Sequence, residues 1–343
     1  PKQPPQIREL IEGMPPAQAE WHMNSFSNSL FSRMNSVKPQ IKHRYLAAGF
    51  EIVGDNERAA EARRVFDYYA DLVSEIKLDA QVDGNDRVGE SPFGLYVNLL
   101  HTKEIERESG GFGKYLQNQN SGIGFAYNFG RPTEDYRDKF EDALRQTLAE
   151  HFEVLSVTFQ QPSVKSSPVK KDGWRYTPYA YVLLKARGKH VDKIPPLKMD
   201  LDFLDTSGYA ILPIESPAIP IDAANRVERP YGNIRITQIL DERQADQGEL
   251  ILEIKGLANG LVPDLDSILE VSPPGFTVTS VEEDGVSVSK FDEEAEGNQV
   301  LSQRTWLVTL NSTEDAPRQT ELFEFPTPTI EPTEIVYQRY VDA

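Results

Sequence analysis

The chain has 343 residues, of which 39% are hydrophobic and 26% charged, and its net charge is −18. That composition supports a sizeable core in each of two domains and is too apolar for a disordered chain. Cysteine is absent, which excludes disulfide frameworks, thiolate metal sites and cysteine nucleophiles. No uninterrupted apolar stretch approaches the ~18 residues of a membrane-spanning helix.

The charge is unevenly spread. Residues 216–343 hold 24 Asp and Glu against nine Lys and Arg, whereas residues 1–215 are close to balanced. Such asymmetry predicts two separately folded units. The acidic field of the second repels phosphate backbones, so nucleic acid is not an expected partner there. The chain begins at Pro1 and lacks cysteine. We read this as a mature or trimmed bacterial protein, with a periplasmic or otherwise extracytoplasmic place favoured over a cytoplasmic one and with room for a removed signal peptide or membrane anchor.

Residues 1–80 read as a helical segment that packs on the next unit. Pro4-Pro5 and Pro15-Pro16 suit first-turn positions, and Trp21, Phe26, Leu30, Phe31 and Met34 recur at mostly helical spacing. Asn56–Ile76 is the clearest helix, with Ala59, Ala62, Phe66, Tyr69, Val73 and Ile76 three or four apart and Asp55 or Asn56 as its cap. Residues 81–214 read as an α+β sheet domain, with helices packed on a mixed or antiparallel sheet. The apolar run from Phe93 to Leu100 predicts a buried central strand, and Gly122–Phe129 a second. Tyr136, Phe140, Leu144 and Leu148 at i+4 spacing predict a helix opened by Pro132-Thr133. Strands follow at Val154–Phe159 and Tyr179–Lys185. Leu197–Ile214 reads as a hairpin closed by Asp205-Thr206-Ser207-Gly208.

Prolines 213, 217, 220 and 230 mark 215–232 as a linker. Beyond it, strand-like runs occur at Ile234–Leu240, Glu249–Lys255, Phe276–Glu282, Thr305–Leu310, Glu321–Phe325 and Glu334–Tyr340. Turn clusters at 258–260, 273–275 and 283–285 separate them. Residues 233–343 therefore read as an acidic β-sandwich of immunoglobulin-like architecture.

Local catalytic patterns each lack a required group. The five histidines, His22, His43, His101, His151 and His190, are too far apart in sequence for a paired zinc motif. Gly113-Lys114 and Gly188-Lys189 are followed by Tyr115 and His190, so the hydroxyl of a phosphate loop is missing. Asp205-Thr206-Ser207 has serine where an aspartic protease needs glycine, and no second copy supplies the partner carboxylate. No cofactor is implied.

Two segments could carry binding. The glycine-rich Ser109–Arg131 offers Lys114 and Arg131 to an anion and Tyr115 and Tyr127 as flat surfaces. The basic stretch Lys165–Lys193 interleaves Lys170, Lys171 and Arg175 with Trp174, a pattern suited to an anionic surface such as a membrane or single-stranded nucleic acid. It also suits a hairpin tip solubilised by charge. Acidic loop residues, among them Asp264, Asp266, Glu282, Glu283, Asp284 and Asp292, raise the question of calcium. The sequence reading is therefore a non-catalytic binding or scaffold protein whose partner is another protein. The rival is a hydrolase assembled from distant groups such as Asp200, Asp202 and His101.

Overall fold

A computed structural model describes residues 3–108, 111–117, 135–170, 173–205, 208–227, 231–292, 299–314 and 322–340. The N-terminal segment folds into α1 (Pro4–Glu12), α2 (Pro16–Phe31), α3 (Pro39–Val53) and α4 (Ala60–Ser74). Each of the first three opens on a proline, whose missing N–H costs nothing in a first turn. Gly54, at φ 62°, follows α3 in a conformation that L side chains resist. Asn56 accepts a hydrogen bond from the Arg58 amide and caps a 3₁₀ turn at Glu57–Ala59, which feeds α4. The helix expected over Asn56–Ile76 is thus a turn plus a shorter helix, with Ile76 already in a strand. Phe31 and Met34 are buried, but Trp21 is 64% exposed and lies outside the core stripe.

The first sheet is built from β1 (Ile76–Val82), β2 (Phe93–Thr102), β3 (Phe152–Phe159), β4 (Ser167–Pro168) and β5 (Trp174–Ala186). Its order is β1-β2-β5-β3, all pairs are antiparallel, and β4 adds to β5. Between β2 and β3 lie α5 (Lys103–Glu108) and α6 (Tyr136–Leu148). Asp135 caps α6 by accepting from the Arg137 and Asp138 amides, and Tyr136, Phe140, Leu144 and Leu148 are all buried, as their spacing predicts. The strand expected at Gly122–Phe129 lies outside the described residues.

Next come β6 (Lys193–Ile194), β7 (Lys198–Asp205), β8 (Gly208–Glu215) and β9 (Ile219–Pro220). The expected hairpin is β7–β8, with Leu201 opposite Leu212 and Asp205 opposite Gly208. Thr206 and Ser207 of its turn lie outside the described residues. Met199, Leu201 and Phe203 face the main core with Ala210, Leu212 and Ile214, and α3, α6 and β1 pack around this hairpin.

The stretch read as a linker is tied to the first unit along part of its length. β9 pairs with β6, Val88 donates to the Asp222 carbonyl at 2.9 Å, and Val227 donates to that of Arg87 at 3.1 Å. Ile221 and Ala223 enter the first core. Proline removes single donors from a ladder, yet isolated bridges between the prolines still form.

Among its described residues the C-terminal part is β-rich, with the short α7 (Leu265–Ile268) and a 3₁₀ turn at Ala245–Gln247. It comprises β10 (Ile234–Asp241), β11 (Glu249–Asn259), β12 (Phe276–Asp292), β13 (Gln299–Ser312) and β14 (Glu334–Tyr340). These form one five-stranded sheet in the order β12-β13-β11-β10-β14, with β10 and β14 parallel. Alternate residues Ile234, Ile236 and Leu240, Leu250, Leu252 and Ile254, and Trp306, Val308 and Leu310 bury one face. The segments around α7 and Phe323 cover it. Gln238, fully buried within that stripe, donates to the Pro326 carbonyl at 2.8 Å and pins the covering loop.

Two expectations are corrected here. The cluster at 283–285 is not a turn between strands but a bulge inside β12, where the register slips between Glu283 and Val286 and Gly285 adopts φ 75°. Residues 322–325 form no strand; Phe323 instead packs against Phe276 and Phe325 over the sheet.

The two parts meet through a small core. Tyr181 and Leu183 on the outward face of β5 pack with Leu261, Phe291 and Val300, and Tyr96, Val286 and Val288 flank them. Gly94 makes this possible: a Cβ there would fall 1.7 Å from the Tyr181 hydroxyl oxygen. Arg226 adds an ion pair to Asp264 at 2.5 Å.

Candidate functional site

The Lys114–Tyr115 pair sits on a 3₁₀ turn at Gly113–Leu116 that presses against the hairpin. Tyr115 is fully buried. Its hydroxyl accepts from the Asp202 amide at 3.1 Å and donates to the Asp202 carbonyl at 3.0 Å, standing in for a neighbouring strand at the edge of β7. Burial first, and then the nearby Asp202 charge, push its phenol well above the ordinary range. The ring is therefore a wall of the core, edge-on to Tyr136 at 4.8 Å, and not a flat face turned to a ligand. Lys114 places its ammonium 3.5 Å from Asp202 Oδ1 and 4.9 Å from the Tyr115 ring centre. Tyr127 and Arg131, the other two groups expected with this pair, lie outside the described residues.

The groups of the hydrolase reading occupy separate places. Asp202 is fully buried and Asp200 is paired with Lys139 at 2.9 Å. His101 is also fully buried, with Nε2 2.8 Å from the Thr177 hydroxyl oxygen and Nδ1 2.9 Å from the Thr102 carbonyl oxygen. The Nδ1 tautomer donates to Thr102 and accepts from Thr177, satisfying both nitrogens. Burial holds its pKa below the usual histidine value, outweighing the Thr102 carbonyl and Glu106. The Phe112 ring lies 4.5 Å from His101 and 6.2 Å from Tyr115, so aromatic side chains occupy the space between the imidazole and Asp202.

In the basic stretch, Lys170 is exposed beside the tip of the β4–β5 hairpin, and Lys171 lies outside the described residues. Arg175 is occupied: Nε donates to the Ser166 hydroxyl at 2.7 Å, Nη2 donates to the Ser166 carbonyl, and Glu106 lies 3.4 Å away. Trp174 is half-buried, with the Lys77 ammonium 5.6 Å from its ring centre. Of the described groups expected to act together on an anionic surface, Lys170 is exposed beside the tip, Trp174 is half-buried and Arg175 is held in a partly buried ion pair with Glu106.

A concave surface of the first unit lies elsewhere. The inward face of its sheet carries Ile76, Leu78, Ala80, Leu95, Val97 and Leu99 into the core. The outward face carries Lys77, Asp79 and Gln81 of β1, Tyr96, Asn98 and Leu100 of β2, and Trp174 and Tyr176 of β5. Among the described residues the second part covers this face around Tyr96, Tyr181 and Thr158. Beside that joint remains a trough of about 560 Å³ lined by Asp79, Gln81, Asp83, Tyr96, Asn98 and Tyr176, with Leu100 and Val169 among its apolar contributors. Gln81 donates to Asp79 at 3.0 Å, and the Tyr181 hydroxyl donates to Asp83 at 2.7 Å. Burial and the Asp83 charge both raise the pKa of Tyr96. The alternation along β1 carries this site in the sequence, but the near-continuous apolar run of β2 reads as buried on both faces and hides it.

In the acidic part, Asp264 accepts from Arg226 at 2.5 Å and from Arg304 at 2.6 Å, and Glu283 accepts from Arg304 at 2.7 Å and from the Trp306 indole at 3.0 Å. Asn259 donates to Asp292. Among the described residues no cluster of three or more His, Asp or Glu is placed to hold a metal ion, and no helix is long and apolar enough to cross a membrane. No known family model matches the chain, and no curated protein matches it.

Proposed function

We propose that this chain is a non-catalytic binding protein. The α+β part presents the binding surface to another protein. The acidic all-β part, in this reading an immunoglobulin-like sandwich module whose second layer comes from its covering segments, acts as a rigid support. The observation that carries the proposal is the joint. Tyr181 and Leu183 pack against Leu261, Phe291 and Val300, and Arg226 reaches Asp264, so the support is fixed beside an open trough that shares Tyr96 with the joint. Apolar contact of this kind fixes the orientation of a surface beside it. The supporting role of the module rests on analogy at the level of fold.

The test is comparative capture from a native extract with the immobilised chain and a variant carrying Tyr176→Ala and Asp79→Asn. Proteins retained by the wild type and lost by the variant support the reading. Identical retention by both refutes it.

A further inference from the structure

The walls of the trough combine two kinds of group. Tyr96 and Tyr176 supply aromatic faces, and Asp79 and Asp83 supply carboxylates. The described residues that line it include no lysine or arginine, and the chain as a whole carries −18. An aromatic face attracts a cation by its quadrupole and accepts an alkyl stem by dispersion, while a carboxylate pairs with the charged end. The chain itself shows this on the same sheet face, where the Lys77 ammonium lies 5.6 Å from the Trp174 ring centre.

The dimensions point to a chain segment. From Asp79 on the edge strand β1 to Asp83, the residue after its end, the chain spans roughly 13 Å at ~3.3 Å per residue, the reach of about four extended residues. The trough lies along this edge strand, with Val169 of the β4–β5 hairpin lining it and Tyr96 shared with the joint. We propose that the trough seats an extended basic peptide segment of a partner protein. Lysine or arginine stems of the segment lie across Tyr96 and Tyr176, and their charges face Asp79 and Asp83. This rests on the reading of the first unit as a binding unit and names the chemistry of its partner. The acidic field of the whole molecule steers basic segments toward it.

The experiment is fluorescence anisotropy on the full chain with a labelled decapeptide alternating Lys and Thr. The same peptide with Gln for Lys and free spermine as competitor serve as comparisons. Asp79→Asn and Tyr176→Leu should each weaken the Lys peptide at least fivefold, with circular dichroism and the thermal midpoint unchanged. Asp246→Asn, an equal charge change at an exposed site of the other part, should leave it unaffected. Raising salt from about 50 to 300 mM should weaken binding, as for any exposed charge pair. Equal binding of the Gln peptide, or equal loss in Asp79→Asn and Asp246→Asn, overturns the proposal. So does displacement by spermine at concentrations matching the peptide's own affinity, which would assign the trough to free amines. If those results appear while extract capture still depends on the trough, the binding function stands and only the basic partner falls.

Discussion

Replacing Tyr115 with phenylalanine separates a structural role from a ligand-facing one. The ring keeps its place against Tyr136, and only the hydroxyl is lost. That oxygen accepts from the Asp202 amide at 3.1 Å and donates to the Asp202 carbonyl at 3.0 Å, in a site with no solvent exposure. The carbonyl keeps a neighbour, since the Lys114 ammonium lies 3.3 Å away. The amide loses its acceptor and water cannot replace it. Leaving one buried donor unsatisfied costs about 1–3 kcal/mol, so we expect a destabilisation of about 2 kcal/mol, or roughly 30-fold in the opening equilibrium of β7. Hydrogen exchange of peptides spanning 198–205, read by mass spectrometry, should accelerate by that factor, and the urea midpoint of the first unit should fall. An exposed tyrosine would show changes within about 0.5 kcal/mol. Unaltered exchange across β7 together with an unaltered midpoint would refute the argument that Tyr115 closes the strand edge.

Three further outcomes are expected. Gly94→Ala puts a methyl 1.7 Å from the Tyr181 hydroxyl oxygen and 2.1 Å from its ring carbon, so Tyr181 must leave both Asp83 and the joint. A loss of about 1–3 kcal/mol in chemical denaturation is the expected size for such overpacking, and wild-type stability would contradict it. His43 and His101 both have pKa values lowered mainly by burial, so the unfolded chain takes up protons first. Their contribution is complete above about pH 6.5 and is lost as the pH falls below it toward the folded values. Unfolding midpoints measured from pH 7.5 to 5 should decline, and less steeply in His43→Phe. At Asp264, burial alone would raise the pKa, but hydrogen bonds and charge from Arg226 and Arg304 hold it below 3.8. Its contribution is complete above that value and is lost as the pH falls through the lower folded value, so Asp264→Asn should shift the denaturation midpoint at pH 6 and have little effect near pH 2.

The periodicities of the chain determine most of its elements. The i+4 row from Tyr136 to Leu148 forms α6, the alternation from Met199 to Phe203 forms β7, and the strand runs near 234, 249, 276, 305 and 334 all lie in one sheet. Period and burial are local consequences of backbone geometry, so a single sequence reveals them. The bulge at Gly285 was not legible, because Glu-Asp-Gly suits a turn and a bulge equally and only the partner strand decides. Chemistry was less legible still. Lys114, Tyr115, Asp202 and His101 each carry useful groups, but a core buries three of them and pairs the fourth with Asp202. The trough depends on Asp79, Tyr96 and Tyr176 meeting across three strands separated by up to 97 residues. It also depends on how much of that sheet face the second part covers. The sequence specifies which side each residue faces on its own strand; only the packing of one part on the other decides which faces stay open to a partner.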